Sequence, residues 1–172
     1  MGLSRRVLIS AQALAQRVRA LGDAITRDTP AGQPLSVLTV MDGAFLFCAD
    51  LVRHLPMATH LSFVSVVSAS RGGDPSRLAL PDGFPVRGSD LLVVEDIVDT
   101  GRTLAGIRAG LAPLGARRIR TVALLDKPVR RQVAVDPDYV GFRVDDHWVV
   151  GYGLDFEGRY RNLPYVTFVE PM

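Results

Sequence analysis

The chain has 172 residues, 48% of them hydrophobic and 22% charged, the balance of a globular protein with a real core rather than a disordered or membrane-buried chain. Its net charge of +2 is too small to call for a nucleic-acid partner, and its one cysteine, Cys48, excludes an intrachain disulfide and leaves no Cys/His spacing for structural zinc. No apolar run approaches the ~20 residues of a membrane span, and Val7-Leu8-Ile9 behind Arg5-Arg6 is too short for a signal peptide, so a cytoplasmic protein of one domain, residues 1–172, is expected.

Ser10 is placed to cap a helix. Behind it Leu14, Val18, Leu21 and Ile25 recur at helical spacing, which predicts an amphipathic helix over Ser10–Arg27, ended by Thr29-Pro30-Ala31-Gly32. Leu35 to Met41 reads as a buried strand. Asp42-Gly43 turns the chain, and Ala44 to Leu55 reads as a helix, with Cys48 as packing and Pro56 as its stop. Leu61 to Val67 is a second strand, which completes a right-handed βαβ unit. Ser68 to Ser89 is dense in turn formers and reads either as a surface hairpin or as a flap over a ligand site. Leu91 to Val94 is an unbroken apolar run, the mark of a strand buried on both faces. A helix follows from Thr103 through Leu104, Ile107 and Leu111 to Leu114, with Gly115 as its C-cap. Ile119 to Leu125 is another buried strand, stopped by Asp126-Lys127-Pro128, and Val129 to Pro137 is a polar connector. Tyr139–Val144, Trp148–Tyr152 and Tyr165–Val169 read as three short strands. The alternation predicts an α/β fold, a mostly parallel central sheet flanked by helices with a small accessory lobe. Ligands in such sheets bind at the carboxyl ends of the strands. Asp42, Asp99 and Lys127 each follow a predicted strand directly and so can converge there.

Leu91 to Ala105 is the most informative stretch. Glu95 and Asp96 close the strand, and Asp99-Thr100-Gly101-Arg102-Thr103 makes a hydroxyl-rich turn that opens the helix. Such a turn leaves backbone amides unpaired at the positive end of the helix dipole, an anion site that suits a phosphate. Thr100 and Thr103 add hydroxyl donors. Glu95 and Asp96 can accept from sugar hydroxyls, and Asp99 is left at the lip, free to act as a base. A phosphate, a ribose and a reacting centre are all provided for.

Val93-Val94-Glu95-Asp96-Ile97-Val98-Asp99-Thr100-Gly101 closely resembles the phosphoribosyl-pyrophosphate signature of type I phosphoribosyltransferases, and its core is most similar to the hypoxanthine-guanine branch of that family. The resemblance runs from about Leu8 to Val169. It implies the type I fold with a hood lobe and a flexible flap, and transfer of phosphoribose from 5-phosphoribosyl 1-pyrophosphate to a 6-oxopurine. Glu95, Asp96, Asp99, Thr100, Gly101, Arg102 and Thr103 would then hold the ribose 5-phosphate, with Asp99 as the catalytic base. Leu124-Leu125-Asp126-Lys127-Pro128 is similar to the segment whose lysine binds the purine 6-oxo group. Trp148-Val149-Val150-Gly151-Tyr152-Gly153-Leu154-Asp155 is similar to the segment in which an aromatic ring stacks on the base and the next residue's backbone meets its edge. The same resemblance makes Asp155, with Glu95 and Asp96, the ligands of a Mg²⁺ ion. It gives the pyrophosphate to Asp42, Gly43 and Arg161, and implies a homodimer or homotetramer with no membrane and no nucleic acid.

Two positions depart from the family's pattern. Its loop after the first strand carries Lys, Arg or Asn before Gly, where this chain has Asp42. A carboxylate there repels pyrophosphate unless a metal lies between them or the side chain turns away; as a plain Asp-Gly turn it carries no such cost. The family's flap has a Ser-Tyr pair, where this chain offers Ser68-Ala69 or Ser70-Arg71 and no tyrosine. Two other functions use the same fold: a nucleotide-binding module with weak catalysis, and a regulatory RNA-binding protein, for which Arg117, Arg118, Arg120, Arg130 and Arg131 are the candidate basic stripe.

Overall fold

The structure, a computed structural model, describes residues 2–4, 6–65 and 78–170. A short strand β1 (Gly2–Leu3) leads into helix α1 (Ala11–Arg27). Ser10 caps that helix, its Oγ accepting from the Ala13 amide at 3.2 Å, and the predicted apolar stripe is its buried face. Strand β2 (Leu35–Met41), helix α2 (Phe45–Val52) and strand β3 (Thr59–Ser65) form the first crossover unit. Helix α2 ends before Leu55 because the chain tightens into three-residue turns, His54 to Leu51 and Leu55 to Val52, ahead of Pro56, which disfavours helical geometry before it. Strand β4 (Asp90–Val98), helix α3 (Arg102–Leu111) with a 3-10 turn at Ala112–Leu114, strand β5 (Arg118–Asp126) and strand β6 (Tyr139–Arg143) follow. The chain closes with β7 (Val149–Val150) and β8 (Thr167–Glu170).

The main sheet has the order β3-β2-β4-β5-β6 and is parallel throughout. A smaller antiparallel sheet, β1-β8-β7, forms the accessory lobe. Both faces of the main sheet are covered. Leu92 and Val94 pack toward α1 and α2 with Leu14, Phe47 and Leu51. Leu91 and Val93 pack toward Ile107 and Leu111 of α3. Neighbouring residues of one strand serve opposite cores, which is why the run is apolar without alternation.

The differences from the sequence reading have local causes. β4 runs on through Glu95 and Asp96 to Val98 because its ladder with β5 continues through Ile97↔Leu125 and Val98↔Asp126. Trp148–Tyr152 shrinks to two paired residues because Gly151, at φ 100°, turns the chain. The flap positions Ser68 to Arg71 lie outside the described residues. Further along the same segment, Leu78, Leu80, Phe84 and Val86 pack on the α3-side core. Among the described residues no helix is long and apolar enough to cross a membrane.

At the amino ends of β4 and β5 the carboxylate of Asp90 is buried and pairs with Arg117 at 3.0 Å and Arg118 at 3.4 Å. The Arg117 hydrogen bond holds the Asp90 carboxyl below its ordinary range against the cost of burial. Its contribution is present above the unfolded carboxyl's pKa of ~3.9 and is lost as pH falls through the lower folded value. Asp90→Asn is therefore expected to cost about 1.5–3 kcal/mol at pH 7, with the gap narrowing toward pH 3. Urea denaturation at the two pH values measures this, and a gap of constant size would contradict it.

Candidate active site

The carboxyl ends of β4 and β5 open on a cleft of about 180 Å³ lined by Asp96, Ile97, Asp99, Lys127, Trp148, Val149, Leu154 and Asp155. Asp99 and Lys127 share it because β4 and β5 stay paired to their ends and the Lys127 amide donates to the Val98 carbonyl at 2.9 Å. Lys127 is the only lysine of the chain. Its side chain is buried and its Nζ donates to the His147 carbonyl at 2.6 Å. Burial pulls its pKa down, and the charges of Asp99 and Asp146 partly restore it. Arg130 Nε donates to Asp99 Oδ1 at 3.1 Å, its Nη1 donates to Asp146 Oδ2 at 3.2 Å, and Asp146 Oδ1 lies 3.9 Å from Lys127 Nζ. A chain of alternating charge thus joins Asp99 to Lys127.

Trp148 forms a wall of the cleft and is 59% exposed, so it is a surface ring and not core packing. Its indole N–H donates to the Asp155 carbonyl at 3.2 Å, and its ring meets Phe156 edge to face at 5.7 Å between centroids. These two contacts fix a flat apolar surface in the cleft.

The far end of the cleft is acidic and carries one guanidinium. Arg161 Nη2 pairs with Asp155 Oδ1 at 2.9 Å, its Nη1 donates to the Gly153 carbonyl at 2.6 Å, and Asp42 Oδ2 lies 3.9 Å away. Asp42 is largely solvated and faces Arg161, so its charge is offset by a cation of the protein itself. The peptide bond between Met41 and Asp42 is cis. A Cβ on Gly43 would overlap the Asp96 carboxylate, and one on Gly153 would overlap the Gly43 carbonyl. Only glycine lets the β2 loop, the end of β4 and the hood approach this closely.

Asp96 accepts from the Ile97 amide at 2.7 Å. Burial lifts its pKa to about 6, against the pull of that amide and of Arg161. Glu95, expected at the mouth, is instead buried beneath it and does not line the cleft. Burial first, and Asp96 second, push its pKa well above the ordinary carboxylate value. The reason is the pleat: neighbouring residues of a strand face opposite ways, so two adjacent acids cannot both face one cleft.

Thr100, Gly101, Arg102 and Thr103 form the turn into α3, with Gly101 left-handed at φ 83°. The first main-chain bond of the helix is Ala105 N–H to Gly101 C=O at 2.9 Å. The amides ahead of it have no partner within the helix, and the Arg102 amide has only a long 3.4 Å approach to Thr100 Oγ1. Sequence reasoning named Arg130 only as part of a basic stripe, not at the cleft, and missed Asp146. Their signals were an arginine just beyond Lys127-Pro128 and the Asp145-Asp146 pair before Trp148. The arginines of the candidate basic stripe each have partners within the chain. Arg117 and Arg118 pair with Asp90, and Arg120 is buried on Thr29 and Tyr139. Arg130 and Arg131 pair with Asp99 and Asp126.

The family model described as phosphoribosyl transferase domain matches residues 8–157. The chain belongs to this family. It is 40% identical over 170 residues to a phosphoribosyltransferase of Lactococcus lactis named hypoxanthine-guanine phosphoribosyltransferase, covering 96% of this chain and 91% of that one. A Bacillus subtilis protein of the same name is 37% identical over 169 residues, with 96% and 93% covered. The crystal structure of a hypoxanthine phosphoribosyltransferase from Staphylococcus aureus superposes with a TM-score of 0.89 at 34% identity, covering 97% of this chain and 93% of that one. The main sheet, the flanking helices and the hood are those of a type I phosphoribosyltransferase.

Because Lys127 is the only lysine and little of its side chain is exposed, an amine-acylating reagent at pH 8 should modify it much more slowly in the native phosphoribosyltransferase than in urea. Peptide mapping by mass spectrometry reads both states. Rapid modification of the native chain at Lys127 would contradict the burial described.

Proposed function

We propose that the chain is a purine-salvage enzyme that transfers the phosphoribosyl group of 5-phosphoribosyl 1-pyrophosphate to hypoxanthine or guanine, giving IMP or GMP and pyrophosphate. The observation that carries this reading is one cleft in which Asp99, Lys127 and Trp148 face the same space. A purine stacked on Trp148 would meet the cation at its 6-oxo group and the carboxylate at the neighbouring imidazole nitrogen. Lys127 suits an oxo group, which accepts, and would oppose the 6-amino group of adenine, which donates. The backbone of Val149 would take a further edge of the base. The amides at the start of α3, with Thr100, Gly101, Arg102 and Thr103, would hold the 5′-phosphate. Asp96 would accept from the ribose hydroxyls.

The reaction breaks the bond from ribose C1 to pyrophosphate and forms one to a purine ring nitrogen. Asp99 would take the proton from the other imidazole nitrogen as positive charge builds on the ring. Arg130 occupies only its Oδ1, which leaves Oδ2 for that task. Gly43 and Arg161 would address the pyrophosphate, and Arg161, already between Asp42 and Asp155, would screen Asp42 from it.

Asp155 and Asp96 fit a Mg²⁺ ion. The donors are hard carboxylate oxygens, and Asp96, whose charged form burial disfavours, is the kind of group a cation stabilises. Mg²⁺ keeps waters and takes few protein ligands, so two carboxylates suffice. When bound, the ion would neutralise charge on the departing pyrophosphate. We add, on family grounds alone, a cytoplasmic location and a homodimer or homotetramer.

The direct test is to incubate the protein with 5-phosphoribosyl 1-pyrophosphate, Mg²⁺ and each purine in turn and follow nucleotide formation by chromatography. IMP or GMP is expected, and no product from any 6-oxopurine would sink the reading. Asp99→Asn should keep the fold and lower kcat by about 10²–10⁴-fold. Lys127→Gln should narrow the preference for hypoxanthine over adenine by roughly tenfold to a hundredfold, measured as the ratio of kcat/KM values.

A further inference from the structure

Arg131 lies in the connector after β5, outside every segment that carries the family resemblance to a substrate contact. Its side chain is 12% exposed. Nη1 donates to two carbonyls at the end of β4, Val98 at 3.2 Å and Asp99 at 2.6 Å. Nη2 pairs with Asp126, whose carboxylate is itself 4% exposed. The stem of Arg131 lies against Gly101, where a Cβ would crowd its Cδ and Val135. Main-chain bonds extend the same seam. The amides of Gln132 and Val133 both donate to the Thr100 carbonyl, at 2.9 and 3.2 Å.

These contacts answer a definite need. The Val98 carbonyl keeps the Lys127 amide as its ladder partner, but at Asp99 the chain has left the sheet, so the Asp99 carbonyl requires a donor from elsewhere. A guanidinium is planar and carries five donors in a fixed fork, so it can hold two carbonyls and a carboxylate at once. An ammonium cannot reproduce that geometry. The Asp99 carbonyl belongs to the residue whose side chain works in the cleft. Rotation of that peptide would swing the carboxylate, and a misplacement of ~1 Å at a reacting group costs about a hundredfold in rate.

We propose that Arg131 is a positioning residue for phosphoribosyl transfer: braced by Asp126, it locks the Val98–Asp99 backbone and so sets the Asp99 carboxylate and the phosphate-binding turn relative to Lys127. The assignment rests on the reading of Asp99 as the base. Arg131 touches no substrate and acts through the backbone it holds.

The test compares Arg131→Gln, Arg131→Lys and Asp126→Asn with the unaltered enzyme, alone and combined with Asp99→Asn. Circular dichroism verifies the fold, and steady-state kinetics separate kcat from the two KM values. The expected result is a fall in kcat of about 10–100-fold with a raised KM for 5-phosphoribosyl 1-pyrophosphate and a KM for hypoxanthine within about twofold. Arg131→Lys should recover only part of the loss. Combined with Asp99→Asn, the Arg131 change should add little further loss in kcat, since both act through one group. A folded Arg131→Gln enzyme with a lowered melting temperature but unaltered kcat and KM would overturn the proposal, and so would losses that simply multiply in the double variant. If Arg131→Gln does not fold, Arg131→Lys and Asp126→Asn, which keep most of the volume, decide it by the same comparison. No turnover by the unaltered protein would remove the functional reading and this role together, whereas normal turnover with silent variants would remove this role alone.

Discussion

The site depends on β4 and β5 remaining paired beyond their apolar cores to the last residues of both strands. That pairing brings Val98 beside Asp126 and ties the Lys127 amide to the Val98 carbonyl. The two side chains that follow, Asp99 and Lys127, then start from adjacent points on one sheet edge and face one cleft. The pairing of β2 with β4, which runs to Thr39↔Val94, carries the loop after β2 to the opposite end, where Gly43 meets Asp96. Function here is a matter of strand register, and the cores on both faces of the sheet are what hold the register.

The charges around the cleft fall into two kinds. Arg130, Asp146 and Asp99 are all more than a third exposed, and such pairs contribute only about 0–1 kcal/mol each. They can part when a ligand enters and re-form when it leaves. Asp126 and Arg131 are enclosed, and removing either member of a buried pair costs about 3–5 kcal/mol because the other is stranded. The permanent pair braces the backbone, and the exchangeable pairs sit where substrate atoms would arrive. Arg161, less exposed, pairs with Asp155 and faces Asp42, so the charge of Asp42 is offset by a cation of the chain itself.

Much of this was legible in the residues. Long, mostly apolar runs announced β2, β4 and β5 because burial on both faces favours apolar side chains at successive positions. Ser10 announced its helix through a local hydrogen bond. The turn from Asp99 to Thr103 and the lone Lys127 were readable because each directly follows a strand. What could not be read depended on long-range geometry. Glu95 and Asp96 are chemically alike and adjacent, and only the pleat decides which one meets the cleft. Arg130 and Arg131 sit in a connector without periodicity, and their targets are 31 and 32 residues away in sequence. Strand β3 starts at Thr59 rather than Leu61, because an edge strand owes its extent to its partner and not to its own hydrophobicity. The placement of Trp148 in the cleft came from the family resemblance and not from the residue itself, since a tryptophan's usual place is the core.

The central claim is that Lys127 and Asp99 address neighbouring groups, the 6-oxo oxygen and the imidazole nitrogen, of one nucleobase whose phosphate rests on the start of α3. A crystal structure with a 6-oxopurine nucleoside monophosphate tests it most directly. The account predicts Lys127 Nζ and an Asp99 oxygen each within ~3 Å of the base, at O6 and N7 respectively, with the ring on Trp148 and the phosphate on the amides of Thr100 to Thr103. A base seated away from Trp148, or a phosphate bound elsewhere than that turn, would contradict it.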